Sequence, residues 1–227
     1  MEKILCALWG ADPQKLLTEV TKKLANTGAK NIRINIQDAA VGDGAGLIQS
    51  RGDPLPNAIL QFWLLSSNEI FRNACDAIMN EYCDRFDSWL VAESQIITNE
   101  KHPPQSEQRC AGFSQIAFLT LPPGMDWQEW RNVWRDYHTQ IAIDTQSNFE
   151  YVQNLVIEPL TEGAAPYVAI VEECFPTDAL TDPFVFFDAA GDQEKFDQNL
   201  AAMMESCGRF IAPGTIDVFP TSQYNFG

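Results

Sequence analysis

The sequence predicts an α+β fold made of two βαββαβ units in tandem, and three observations predict it. Along the 227-residue chain, strand-like and helix-like apolar periods alternate in the order strand, helix, strand, strand, helix, strand, and the same order then recurs. Between the two runs lies Glu100 to Gln108 (EKHPPQSEQ), a polar segment with two prolines and no periodicity. It reads as a linker and sets the repeats at residues 1–104 and 105–227. Finally, a four-stranded unit with its helices on one side leaves the other side of its sheet bare. Two units in one chain can cover both bare faces by packing sheet on sheet, about 10 Å apart.

Each element has a local reason. Lys3 to Trp9 (KILCALW) is a short apolar strand. Asp12 then caps a helix with Pro13 at its first position and Gly28 at its end, and Leu16, Val20, Leu24 and Thr27 form its core stripe. Asn31 to Gln37 (NIRINIQ) alternates as a half-buried strand does. The loop from Val41 to Pro56 contains GDGAG, which lacks the lysine of a phosphate-binding loop and has no helix behind it. Asn57 to Leu65 is a third strand, and Ser66 with Glu69 resembles a capping box that opens a helix with Ile70, Ala74, Ile78 and Tyr82 on one face. Ser88 to Thr98 is the fourth strand and completes a ferredoxin-like unit.

The second run begins with the strand Gly112 to Leu121, ended by Pro122, Pro123 and Gly124. Asp126 and Glu129 then start a helix in which Trp127, Trp130, Trp134, His138, Ile141 and Thr145 share a face. Asn148 to Ile157 and Tyr167 to Phe175 are strands. A long connection holding the cluster FVFF, either a lid or a local hydrophobic anchor, leads to a helix with Phe196, Leu200, Met203 and Cys207 on one face. Thr215 to Phe219 is the last strand. Residue identity between the halves is poor, so the repeat lies in the pattern of elements.

Composition narrows the function. An apolar content of 45% suffices for a packed core, and no apolar run approaches a membrane span. The start, MEKILCALWGADP, lacks the pattern of a signal peptide, so a cytoplasmic location is expected. The six cysteines show no ligand spacing and read as buried thiols; with two histidines, no metal site is expected. Net charge is −16, and it is uneven: 10 basic and 13 acidic residues up to Pro104, but 5 and 18 beyond it. Such a surface repels phosphate backbones and anionic membranes, so neither nucleic acid nor membrane is an expected partner.

The tryptophan helix concentrates the unusual chemistry. A lone imidazole among aromatic slabs, His138 can move a proton near neutral pH or can be a core histidine, and Trp130 and Trp134 can wall a ligand or simply pack. On the following strand Tyr151 and Asn154 face opposite sides, and either could hydrogen-bond a substrate oxygen. Glu172 and Glu173 are adjacent mid-strand, so one must face packed structure or a barrel interior. Buried there without a partner, its pKa would rise.

The strand FSQIAFLTLPPG, the helix with WRDYH, the downstream YVQNLV, the YVAIVEE before FP and the closing DVFPTSQY resemble the EthD-like proteins of the dimeric α+β barrel superfamily. The resemblance covers roughly Gly112 to Tyr224; the first helix, QKLLTEVTKKLANTG, has no histidine, tryptophan or tyrosine, so a family-type pocket is expected in the second half only. It implies tandem ferredoxin-like repeats forming an intramolecular dimeric α+β barrel. It also implies a small hydrophobic, often aromatic ligand held between the helices and the sheet. The expected site is His138 as catalytic acid/base, with Trp130, Trp134, Tyr137, Thr145, Tyr151, Asn154 and Glu172 around the substrate. Cofactor-free acid/base chemistry on a cyclic carbonyl compound is the leading expectation. A non-catalytic binding or accessory protein is the alternative, and haem ligation by His138 a third; further self-association is left open.

Overall fold

The computed structural model describes residues 1–226. Its strands are β1 (Glu2–Trp9), β2 (Lys30–Ile36), β3 (Ala58–Leu64) and β4 (Arg85–Ile97), then β5 (Phe113–Thr120), β6 (Glu150–Pro159), β7 (Tyr167–Phe175) and β8 (Asp217–Phe226). They close into one barrel in the order β1-β3-β2-β8-β5-β7-β6-β4. Within each half the order is that of a ferredoxin-like sheet, and the halves join at two antiparallel seams, β2 with β8 and β4 with β6. The bare faces are therefore covered as expected, but not by two separate sheets. Four edge strands left open would each expose unpaired N–H and C=O groups, and pairing them across the halves removes every edge.

β8 is longer than its sequence suggests. Pro220 has no N–H to give and reads as a strand end, yet the strand runs on because it changes neighbours there. Asp217 to Thr221 pair with β5, and Ser222 to Phe226 pair with β2.

Two helices cover each half from outside. Pro13–Lys15, Leu16–Val20 and Thr21–Asn26 run on as α1, and Trp127–Asn132, Val133–His138 and Thr139–Thr145 as α3, each with a π-helical middle segment. Their caps are those expected: the Asp12 and Asp126 carboxylates each accept from two backbone N–H groups of the first turn. α2 (Glu69–Tyr82) differs from expectation. Asn68 stands at its cap without a side-chain bond, Ile70 is 80% exposed, and Cys75, Ile78 and Met79 are buried. The Ser66 hydroxyl serves its local turn by accepting from the Asn68 N–H, so the helix begins later and its buried face is rotated. α4 (Gln193–Gly208) follows the FVFF turn, Pro183–Phe186, and is capped by Asp192. The GDGAG segment is not an open loop: Ala39–Leu47 winds into 3-10 turns capped by Asp38. All six cysteines are unpaired, four of them buried.

The barrel interior is split along its axis. Leu5, Ile59, Trp89, Ile116, Phe118, Ile170 and Phe219 form an apolar layer. Beyond it lies a buried polar layer with Lys3, Asn35, Gln61, Asn154, Glu150, Glu172 and Gln223. Among the described residues no helix is long and apolar enough to cross a membrane.

Candidate functional site

A cavity of about 840 Å³ lies on the helix side of the second half. Its floor is the outer face of β5, β7 and β8, through Gln115, Ala117, Leu119, Val171, Glu173 and Val218, and its roof is the Met203 and Cys207 side of α4. Phe186 and Phe187 of the FVFF turn close one side, with Phe186 stacked on Phe175 at 4.5 Å between ring centroids. The opposite side comes from the first half, where Gly46 and Leu47 reach across, so the glycine-rich segment is a cavity wall. In the first half, Leu16, Val20, Leu24, Cys75, Ile78 and Met79 fill the space between helices and sheet.

Glu173 is the buried ionisable group on the floor, 9% exposed. Burial drives its carboxyl up from 4.5 to about 7, opposed by one hydrogen bond from Asn148 Nδ2 to Oε1 at 2.9 Å. A carboxyl poised near neutrality against an apolar wall has the properties of a general base.

Glu172, one residue earlier, faces the other way, into the barrel. Burial alone would raise its pKa as well. There burial is the largest single influence, but the Arg33 guanidinium at 3.0 Å and hydrogen bonds from Gln223, Asn35 and Gln61 together overcome it and hold the carboxyl down at about 2. Arg33 also pairs with Glu150 at 2.8 Å. Glu172 is thus bound up in an internal network and is not on the cavity wall.

The other expected site residues are dispersed. Trp130 and Trp134 are fully buried and stacked at 5.1 Å, and the Trp130 indole N–H donates to the Phe210 carbonyl, so both serve as packing beneath α3. His138 lies between α3 and α4, with Nδ1 2.9 Å from Ser206 Oγ and its ring 4.6 Å from that of Phe210. Burial lowers it to about 4, so it is neutral at pH 7. It does not line the cavity, and a haem seated there would not meet its imidazole. Tyr137 is exposed and donates to Glu205. The Thr145 hydroxyl donates to the Ile141 carbonyl within its own helix. Tyr151 is buried on the helix side and accepts from Gln153, while Asn154 faces the barrel interior and accepts from Lys3. Sequence reasoning left out the cavity residues Gln115, Phe186 and Met203 as ligand contacts. Parity offered one signal: cross-strand partners share a face, and Glu173 is opposite Gln115 and Tyr151.

The closed eight-stranded sheet with outer helices defines a dimeric α+β barrel, here completed by a single chain. Residues 122–213 match the EthD domain. Among solved structures the fold is similar to that of an anthrone oxidase-like protein (9% identity, 100% of this chain and 91% of that one, TM-score 0.53). It is also similar to a candidate monooxygenase from Lactobacillus acidophilus NCFM (9% identity, 99% and 95%, TM-score 0.52). None of the curated proteins matches the sequence significantly. The second half thus carries an EthD domain, and the chain as a whole has the fold of the dimeric α+β barrels.

Proposed function

We propose that the protein is an enzyme that moves a proton on a hydrophobic, cyclic carbonyl compound without a cofactor, with Glu173 as the base. One observation carries the reading: a carboxyl raised to about 7 by burial stands on the floor of an 840 Å³ apolar cavity. As a carboxylate it can take a proton from carbon next to a carbonyl, and as an acid return it. Asn148 holds Oε1 and leaves the second oxygen for that task. In this reading His138 acts through packing, since its Nδ1 pairs with Ser206 and its ring is neutral at working pH. The similarity to an anthrone oxidase-like protein agrees with a flat aromatic ketone as substrate class.

The test is hydrogen–deuterium exchange at the acidic C–H of the ketone, followed by NMR over a panel of cyclic aromatic ketones. That carbon is the one next to the carbonyl in the tetralones, and the ring methylene conjugated to the carbonyl through the arene in anthrone. Wild-type protein should speed exchange, with a rate that rises through about pH 7 as Glu173 ionises. Glu173→Gln, which keeps shape and the Asn148 bond, should abolish it. Exchange at the wild-type rate in Glu173→Gln refutes the reading, while ligand binding without exchange in wild type favours a non-catalytic binding protein.

A further inference from the structure

We infer that Gln115 is the oxyanion partner of Glu173, and that the pair selects enolisable ketones over hydrocarbons of the same shape. The inference rests on Glu173 being the base. Gln115 of β5 is directly opposite Glu173 of β7 in an antiparallel pair. Such partners share a face, with Cβ atoms about 4.5–5.5 Å apart. Both side chains line the cavity. The N–H groups of three other amides near this sheet donate within the protein: Gln153 to Thr139 and Tyr151, Gln223 to Glu150 and Glu172, and Asn148 to Glu173. Gln115 is half-buried, and among the described residues its amide makes no side-chain hydrogen bond, so its N–H donor is open to the cavity. A carbonyl oxygen of a ligand on this floor can accept from it.

The geometry suits enolisation. A ketone lying along the floor can place its oxygen at the Gln115 Nε2–H donor and its α carbon at the Glu173 carboxylate. The carboxylate takes the α proton, the C–H electron pair becomes the carbon–carbon double bond, and the carbonyl pair moves onto oxygen. That oxyanion gains charge where the amide already donates, so the contact strengthens as the reaction proceeds. Reversal, with a solvent deuteron on the carboxyl, returns the ketone labelled. No electron leaves the substrate and no co-reactant is required.

The experiment compares 2-tetralone with tetralin, its carbonyl-free analogue, on the full-length protein. Affinities are measured for wild type, Gln115→Leu and Glu173→Gln, and α-deuterium exchange of 2-tetralone is followed alongside. Leucine removes the donor and breaks no protein hydrogen bond, so the melting temperature should hold. The ratio of 2-tetralone to tetralin affinity should fall about tenfold in Gln115→Leu, the worth of one hydrogen bond. Exchange should fall by more, because the bond is stronger to the enolate. An unchanged ratio, or a wild-type protein that does not take 2-tetralone, overturns the inference. Glu173→Gln separates the two ideas: a retained ratio with lost exchange supports both, and retained exchange removes the base while leaving the ketone contact standing.

Discussion

Replacing Glu173 by glutamine should stabilise the protein, and only at high pH. A buried carboxyl whose folded pKa lies above its unfolded value favours its neutral form on folding. Below about pH 4.5 both states are protonated and the site is neutral in its effect. As pH rises through 4.5 the unfolded chain releases its proton first, and the penalty grows until the folded group also ionises near 7. A rise from 4.5 to about 7 corresponds to roughly 3 kcal/mol, fully expressed above about pH 8. Glutamine cannot ionise and keeps the Asn148 hydrogen bond, so the variant should gain about 3 kcal/mol at pH 8.5 and close to nothing at pH 4.5. For a chain of this length that is roughly 6–12 °C in melting temperature. Calorimetry or urea unfolding of both proteins at the two pH values measures it. The same difference at both would show that Glu173 titrates normally, and would remove the basis for giving it a base's role.

Three further substitutions probe the surroundings. His138→Ala should lower stability by about 1–3 kcal/mol through the lost Ser206 bond and the space left beside Phe210, with ketone exchange kept; lost exchange at intact stability would return the acid/base role to His138. Arg33→Met leaves Glu150 and Glu172 buried without their cation, and unfolding titrations should show a loss of roughly 3–5 kcal/mol. Gly44→Ala meets no backbone strain, since φ is −81°, but its new methyl would stand 2.6 Å from Leu180 Cδ2. Leu180 lines the cavity, so bulky ligands should bind more weakly while the smallest keep their affinity, as calorimetric titration of a size series would report.

Much of the fold was legible because it is local. Asp12 with Pro13, and Asp126 with Glu129, mark helix starts by chemistry that acts within one turn, and alternation in NIRINIQ marks a strand, although its polar face, with Arg33 and Asn35, turns into the barrel and not to water. The second capping box failed for the same reason. Ser66 satisfied the turn before the helix, and nothing in the sequence shows which of two local bonds wins. The site was less legible because it is assembled over distance. His138 stands out in a list of residues, yet its surroundings come from Ser206 and Phe210 on elements the sequence does not connect to it. Likewise Gly46 and Leu47 wall a cavity in the other half of the chain, a contact that depends on barrel closure and leaves no trace in a glycine-rich segment.

Glu172 and Glu173 show how a closed barrel makes that difference. The strand YVAIVEECF is apolar on both faces around them, so alternation cannot say which carboxyl turns inward. Closure decides it, because only the interior brings Arg33 of β2 to 3.0 Å from a residue on β7. The inward carboxyl is given a cation and three amide donors, which hold it well below the usual carboxylate range. The outward one has the same chemistry and similar burial but a single amide, and rises to about 7. The interior network thus uses Arg33 where it secures the fold and leaves the cavity floor without one. A cation moved to the cavity would hold Glu173 as a weak, permanently ionised base, so it is the confinement of Arg33 within the barrel that keeps a reactive carboxyl available outside it.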